Sequence, residues 1–178
     1  MQHIAFLRGI NVGNAKRVAM SDLRAIAEDL GYTKVCTLRN SGNLIFETTS
    51  AKGKAASKKI ENELKARLDV SSRIIILTEK ELDAIIEENP LAEVATNPSR
   101  YLVVIVGNPD DLSQLRPITK KGWEPEAIEV DKRVAYLWCP DGILESPLAK
   151  AINGKSGQNV TTRNWATLLK VHEMIHQI

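Results

Sequence analysis

The feature that most constrains the fold is the order in which short apolar runs and amphipathic stretches follow one another. Short apolar runs predict strands, and stretches whose apolar residues recur every three or four positions predict helices. Along the chain these patterns predict β-α-β-β-α-β, a linking helix, and then β-α-β-β-α-α. The first half has the ferredoxin-like split βαβ pattern, and the second repeats it with a helix in place of the last strand.

The predicted fold class is therefore α+β, with two consecutive ferredoxin-like βαββα-type subdomains. Their sheets are mostly antiparallel and carry helices on one face. The boundary is predicted within residues 89–100, where Pro90 and Pro98 interrupt the periodicity. The first subdomain, with the linking helix, spans residues 1–89, and the second spans residues 90–178 and ends in a C-terminal helix. A duplication rests on the element order alone.

Composition indicates a globular protein without a membrane-spanning segment. The chain has 178 residues, of which 43% are hydrophobic and 26% charged, so it can bury a sizeable core. Its longest apolar runs, residues 73–77 and 101–106, are far too short to span a bilayer. The N-terminus lacks the basic and apolar segments of a signal peptide. We expect a cytoplasmic protein with no membrane partner, and the sequence does not specify its oligomeric state.

Cysteines and histidines give no pattern for a metal, a cofactor or a catalytic set. Cys36 and Cys139 each stand alone, with no CxxC motif and no nearby histidine, so we predict no metal site and reduced thiols. His3 starts a strand, His172 lies on an apolar helix stripe at the edge of the core, and His176 is almost terminal. No cofactor is predicted, and no reaction can be named.

Three polar segments are the candidates for a binding site. They are residues 8–13 (Arg-Gly-Ile-Asn-Val-Gly), 39–43 (Arg-Asn-Ser-Gly-Asn) and 161–165 (Thr-Thr-Arg-Asn-Trp). Each lies where a strand is predicted to end or a helix to begin. Backbone N–H groups and guanidinium forks at such points suit an anionic or amide-rich ligand. The candidate ligand-binding residues are Arg8, Asn11, Arg39, Ser41, Asn43, Thr162, Arg163 and Asn164.

The first segment has the glycines of a ligand-binding loop but matches no standard nucleotide motif. No Gly-Lys-Ser/Thr ends it, which excludes a Walker loop. Its glycine spacing, and the seven residues between Gly13 and Ser21, exclude a dinucleotide fingerprint. The alternative is a loop whose glycines only turn the chain, with Arg8 paired to an acid.

The second segment occupies the place of the RNP1 motif of an RNA-recognition domain. Ser41 and Asn43 stand where that motif has stacking aromatics, and aromatic residues are only 4% of the chain. Base stacking therefore lacks its main source of energy. These polar groups suit phosphate or an amide, and the alternative is a hairpin turn whose Asn and Ser bond their own backbone.

In the third segment, Thr161 or Thr162 is predicted to cap the last helix, which places Arg163 in its first turn. A cation there opposes the helix dipole, which favours an anion between the two. The anion is either a ligand or a carboxylate of the chain itself, in an intramolecular salt bridge.

Charge is unevenly distributed, with a net +6 over residues 1–80 and −4 over residues 81–178. A basic first half attracts anions, including nucleic acid. However, +6 is modest beside dedicated nucleic-acid binders, so two solvated surfaces are the favoured interpretation.

Taken together, several short motifs resemble a bacterial family called domain of unknown function 1697. They are residues 8–13, Met20 and Leu23, Ser41 to Asn43 before a strand with Phe46, residues 136–138, and residues 162–165. The resemblance covers nearly the whole chain. It implies a cytoplasmic α+β protein of two related subdomains and brings no activity with it. Family members commonly have a second glycine where this chain has Asn14, and asparagine is a residue type that can also adopt left-handed conformations.

The leading hypothesis is a site for an anionic small ligand, a nucleotide or a phosphorylated metabolite, where the three segments converge. Arg8, Arg39 and Arg163 supply its charge. One alternative is that the basic first half binds nucleic acid, a partner that is less favoured than a small anion. The other is that the polar segments are purely structural and join the two subdomains.

Overall fold

Two four-stranded antiparallel sheets organise the chain, whose computed structural model describes residues 1–155 and 159–178. The strands are β1 (Gln2–Leu7), β2 (Thr33–Leu38), β3 (Asn43–Glu47), β4 (Ile74–Thr78), β5 (Tyr101–Val106), β6 (Ala127–Val130), β7 (Val134–Trp138) and β8 (Val160–Asn164). The first sheet has the order β2-β3-β1-β4 and the second β6-β7-β5-β8. The α+β class with antiparallel sheets is confirmed, and the two sheets share one strand order.

Helices connect most of the strands. They are α1 (Met20–Asp29), α2 (Ser50–Lys54), α3 (Ala56–Leu68), α4 (Glu79–Glu88), α5 (Arg116–Thr119), α6 (Pro147–Lys155) and α7 (Trp165–Ile175), with a 3-10 helix at Pro109–Gln114. Among the described residues, no helix combines the length and the apolar character needed to cross a bilayer.

By their contacts the residues divide into two compact units. Unit 1 comprises Met1–Asp83 and Lys170–Ile178, and unit 2 comprises Ala84–Leu169. The division into domains 1–89 and 90–178 stays a prediction.

In unit 1 the core lies between the first sheet and helices α1 and α3. Alternate residues of the central strands point to one face, while the helices contribute apolar residues at spacings of three and four. This core includes Ala5, Leu7, Leu44, Phe46, Leu23, Ile26, Ile60 and Leu64, all fully or almost fully buried. Because the core fixes β1 and β3 side by side, it also fixes the loops that leave their ends.

The start of α4 is a capping box formed by Thr78 and Glu81, which fit its Ser/Thr-x-x-Glu/Gln pattern. The backbone N–H of Thr78 donates to Glu81 Oε2 at 2.8 Å, and the N–H of Glu81 donates to Thr78 Oγ1 at 3.3 Å. Two N–H groups that would lack helical partners are thereby satisfied.

In unit 2 the structure corrects the predicted end of the chain. The prediction of a helix in place of the last strand is wrong, because Val160–Asn164 forms β8 and pairs antiparallel with β5. The register joins Val104 to Thr162 and Leu102 to Asn164. Val160 and two threonines are β-branched and favour a strand. Its polar residues are also typical of a helix start, which is why the sequence pattern did not indicate a strand.

The buried imidazole of His3 makes the stability of unit 1 depend on pH. Burial lowers the pKa of His3 from 6.5, and the N-terminal ammonium lowers it further, while a hydrogen bond to Met1 O and the charge of Glu81 oppose the shift. As the pH falls through about 6.5, the unfolded chain takes up this proton before the folded chain does. We expect stability contributed by neutral His3 to be present above that pH and lost below it.

Urea unfolding of the wild type and of His3→Gln at about pH 7.5 and about pH 5.5 measures this dependence. The wild type should lose more stability on acidification than the variant. An equal loss in both proteins would show that His3 is not responsible.

Candidate functional site

Two of the three predicted segments lie at the same edge of the first sheet. The register pairs Phe6 with Asn43, at the end of β1 and the start of β3, and pairs Leu38 with Asn43. The β1–α1 loop (residues 8–19) and the β2–β3 turn (residues 39–42) therefore leave the sheet side by side. The fold thus brings the loops of Arg8 and Arg39 to one edge, as the hypothesis of a shared site requires.

Asn11 ties these two loops together. Its Nδ2 donates to the carbonyl of Val18 at 2.8 Å and to that of Asn40 at 2.7 Å. Its Oδ1 accepts the backbone N–H of Val18 at 2.8 Å. The side chain thus closes the β1–α1 loop on itself and fastens it to the β2–β3 turn.

Gly42 lets the β2–β3 turn pack closely on β1. It is buried at a φ of +79°, and its carbonyl accepts the N–H of Leu7 at 2.9 Å. A Cβ at this position would lie 2.7 Å from Leu7 Cβ. Only glycine combines this backbone conformation with so close an approach.

The side chains of Asn43 and Ser41 contribute to the same turn. Asn43 is fully buried, and its Nδ2 donates to Leu38 O at 2.8 Å and to Ser41 Oγ at 3.1 Å. Ser41 is exposed. The amide of Asn43 thus holds the turn, and the Ser41 hydroxyl is one of its acceptors.

Two non-glycine residues of these loops have left-handed backbones. Asn11 has a φ of +55° and Arg39 a φ of +57°. Asparagine adopts this conformation readily, but an arginine there is uncommon. Such strain persists where the surrounding structure enforces it, and it concentrates at binding sites. Arg39 is exposed, so the constrained backbone presents its side chain to solvent.

The charged residues of the two loops are all positive. They hold the basic residues Arg8, Lys16, Arg17 and Arg39 and no acidic residue. Lys16 pairs with Asp69 at 2.8 Å, and with Lys65 it lowers the pKa of that carboxyl to about 2. Arg17 Nη1 donates to Asn11 O at 2.9 Å. The edge therefore carries three arginines on two loops that the Asn11 hydrogen bonds hold together.

The third predicted segment belongs to unit 2 and lies in strand β8. The prediction that Thr161 or Thr162 caps the last helix is wrong. Asn164 has that role, since its Oδ1 accepts the N–H of Thr167 at 2.9 Å. Arg163 therefore lies in a strand, opposite Val103, and the inference from the helix dipole fails.

Arg163 is buried, with 8% of its surface exposed. Its Nη1 donates to Thr161 Oγ1 at 2.9 Å and to Thr162 O at 2.8 Å. Burial lowers the pKa of Arg163 to about 10. The guanidinium is thus hydrogen-bonded to its own strand inside unit 2.

Comparison with known proteins decides the family. The family model described as "Protein of unknown function (DUF1697)" matches residues 1–136. The chain belongs to this family. The predicted resemblance is confirmed. The matched part of this DUF1697 chain includes the two tied loops, that is, the β1–α1 loop (residues 8–19) and the β2–β3 turn (residues 39–42) that Asn11 joins. No curated protein matches the chain.

A solved structure has the same fold over nearly the whole DUF1697 chain. It is titled as the structure of the conserved bacterial protein SP0830 from Streptococcus pneumoniae. The two are 23% identical, the alignment covers 98% of each chain, and the TM-score is 0.79. At this identity the similarity shows the fold alone.

Two features of this DUF1697 protein escaped the sequence analysis. One is a cluster in unit 1 of His172 and His176 with Asp83, whose ligand atoms lie within 4.8 Å of one another. The available signal was the spacing of the two histidines, four residues apart at the end of the last helix. The other is a cleft of about 360 Å³ in unit 2 beside Trp123 and Trp138, which none of the predicted site residues lines.

Proposed function

We propose that unit 1 binds an anionic small ligand, a nucleotide or a phosphorylated metabolite, over the β1–α1 loop and the β2–β3 turn. The observation that carries the proposal is the 2.7 Å hydrogen bond from Asn11 Nδ2 to Asn40 O. It joins two loops that contain four basic and no acidic residues. A fixed group of cations at a sheet edge attracts and orients phosphate oxygens.

The proposed roles follow from the contacts of each side chain. Arg8 and Arg39 supply positive charge, and the exposed Ser41 hydroxyl supplies a hydrogen bond. Asn11 and Asn43 position the loops, since their amides bond backbone and side-chain atoms of the loops themselves.

The proposal is confined to residues of unit 1. Thr162, Arg163 and Asn164 belong to β8 of unit 2, where Arg163 is buried and bonded to its own strand and Asn164 caps α7. These contacts support a structural role for the third segment within unit 2.

The placement of the aromatic residues favours a small ligand over single-stranded nucleic acid. All eight aromatic side chains lie in the described residues; seven are buried and Trp123 is half-buried. Phe46, in the strand after the β2–β3 turn, stacks on Tyr32 with ring centroids 4.5 Å apart. Without exposed rings, base stacking of about 1–3 kcal/mol per base has no platform.

The ferredoxin-like character of the two units is also a proposal. Its support is the strand order, since β2-β3-β1-β4 is the antiparallel arrangement that a βαββαβ chain forms when each helix crosses over one strand. The matching order β6-β7-β5-β8 supports a duplication. A cytoplasmic location is supported by Cys36 and Cys139, neither of which forms a disulfide.

A titration series with arginine variants tests the binding proposal. Inorganic pyrophosphate, AMP and glucose 6-phosphate are the probes, and calorimetry at low salt is the measurement. We expect one of them to bind, and Arg8→Ala or Arg39→Ala to weaken that binding about tenfold or more, the loss of one charge-assisted hydrogen bond. Arg39→Lys, which keeps the charge but loses the fork, should fall between the wild type and Arg39→Ala.

The matched control is Arg116→Ala, which removes an exposed arginine from unit 2 and should leave the affinity unchanged. An equal loss in Arg116→Ala would indicate nonspecific charge attraction. A single-stranded oligonucleotide that binds tightly, with affinity falling steeply as salt is added, would replace the proposal with the nucleic-acid alternative.

A further inference from the structure

Two helices of unit 1 bring together imidazole and carboxylate groups away from the tied loops. His172 lies on α7 and His176 directly follows the last residue of that helix, Ile175, while Glu79 and Asp83 lie one turn apart on α4. Residues four apart share a helix face, so each helix presents a pair of side chains. The two pairs meet as one cluster of four titratable groups.

Both imidazoles converge on a single carboxylate oxygen. Asp83 Oδ1 lies 3.0 Å from His172 Nε2 and 2.9 Å from His176 Nε2, and the ring centroids are 4.7 Å apart in an edge-on arrangement. Metal–ligand bonds of about 2.0–2.2 Å in tetrahedral geometry separate neighbouring ligand atoms by roughly 3.3 Å. The observed separations from the Asp83 oxygen lie within a few tenths of an ångström of this value. The three candidate ligand atoms all lie within 4.8 Å of one another, so an ion among them requires the side chains to adjust by about an ångström or less.

Glu79 is placed as a support for one of these ligands. The other ring nitrogen of His176, Nδ1, lies 3.5 Å from Glu79 Oε1. Histidines that bind a metal through one nitrogen commonly donate the other N–H to a carboxylate, which fixes the ring and its tautomer. His176 has that arrangement, since its Nδ1 lies beside Glu79 while its Nε2 lies beside Asp83.

Access and donor chemistry indicate the class of ion. The side chains of His172 and Asp83 are each 30% exposed, and that of His176 is 44% exposed, so an ion has a path from solvent. Two imidazoles with one carboxylate suit zinc and its neighbours among the divalent transition metals, whereas calcium and magnesium prefer all-oxygen sites. Three protein ligands leave one tetrahedral position for water.

We propose that Asp83, His172 and His176 bind a divalent transition-metal ion, Zn²⁺ in the first instance, with Glu79 as a positioning residue. This site is separate from the proposed anion site. Local sequence patterns do not indicate this site, because Asp83 and His172 are 89 residues apart.

The test uses the full-length protein without a histidine tag, stripped of metal by a chelator. Calorimetric titration with ZnCl₂ should show one ion per chain with a dissociation constant in the micromolar range or below. Co²⁺ should bind at the same stoichiometry and give the visible absorption of a four-coordinate ion. No binding at about 0.1 mM Zn²⁺ would overturn the proposal.

Variants identify the ligands. His172→Asn, His176→Asn and Asp83→Asn should each weaken Zn²⁺ binding more than tenfold, whereas Glu79→Gln should weaken it about tenfold and keep the stoichiometry. Glu173→Gln, which removes an exposed carboxylate from the same helix, is the control and should bind as the wild type does. Circular dichroism verifies folding, and the exposed His176 supplies the decisive variant if another fails to fold. Undiminished affinity in His176→Asn, or loss of binding in Cys36→Ser instead, would place the ion elsewhere and overturn the assignment.

Discussion

Replacing Gly42 by alanine is expected to lower the free energy of unfolding by about 3 kcal/mol. Two costs combine at this residue. Its φ of +79° is unfavourable for any residue with a Cβ, and the new methyl group would lie 2.7 Å from Leu7 Cβ and 2.9 Å from Ile10 Cδ1. Leu7 is a fully buried residue of β1 and cannot move aside without disturbing the core. Urea unfolding with the slope held equal to that of the wild type measures the loss.

Gly13→Ala is the matched control for this substitution. Gly13 also has a positive φ, +52°, but a Cβ there would meet no atom of the described residues within 4 Å. Its substitution should cost only the conformational strain, about 1 kcal/mol. Equal costs at the two glycines would contradict the close packing of the β2–β3 turn on β1.

Asn11→Ala is expected to destabilise unit 1 by about 2 kcal/mol, the second large effect. The substitution removes three hydrogen bonds, two to Val18 and one to Asn40. The two Val18 bonds are partly buried, so the N–H and the carbonyl of Val18 lose these partners away from full solvent. It also places alanine at a φ of +55°. Besides the shift in the urea midpoint, the amide proton of Val18 should exchange with solvent faster, because its acceptor is gone.

Asn14→Ala controls for the loss of an amide from the same loop. Asn14 is exposed, and within the described part of the chain its side chain makes no hydrogen bond. Its substitution should change stability by less than about 0.5 kcal/mol. If Asn14→Ala and Asn11→Ala behaved alike, Asn11 would not be the residue that joins the loops.

Local sequence patterns predict those parts of the fold in which the local side-chain chemistry and the burial of the residues favour the same secondary structure. The capping box at Thr78 and Glu81 is one case, and the apolar spacing of α1 and α3 is another. β8 could not be predicted in this way, because its strand character comes from pairing with the buried β5 and its polar residues are typical of a helix start. The first residues of β2 also depart from a simple strand pattern, since the register shifts between Thr33 and Cys36.

The site shows the same division. Sequence composition pointed to Arg8 and Arg39, and the sheet register places their loops at one edge. The role of Asn11 depends on its hydrogen bond to Asn40, which is 29 residues away. No local sequence pattern predicts that bond. Arg163 was misplaced because its burial and its bonds to β8 are tertiary effects. Pairings between distant segments require the fold before they can be recognised.

The central claim is that the two tied loops form the anion site of unit 1. Its most direct test is a titration of ¹⁵N-labelled protein with inorganic pyrophosphate at low salt, followed by the backbone amide signals. The proposal predicts saturable shifts concentrated in residues 8–19 and 39–42, and their loss in Arg39→Ala but not in Arg116→Ala. Shifts that do not saturate, or that concentrate in unit 2 while those loops stay unchanged, would contradict it.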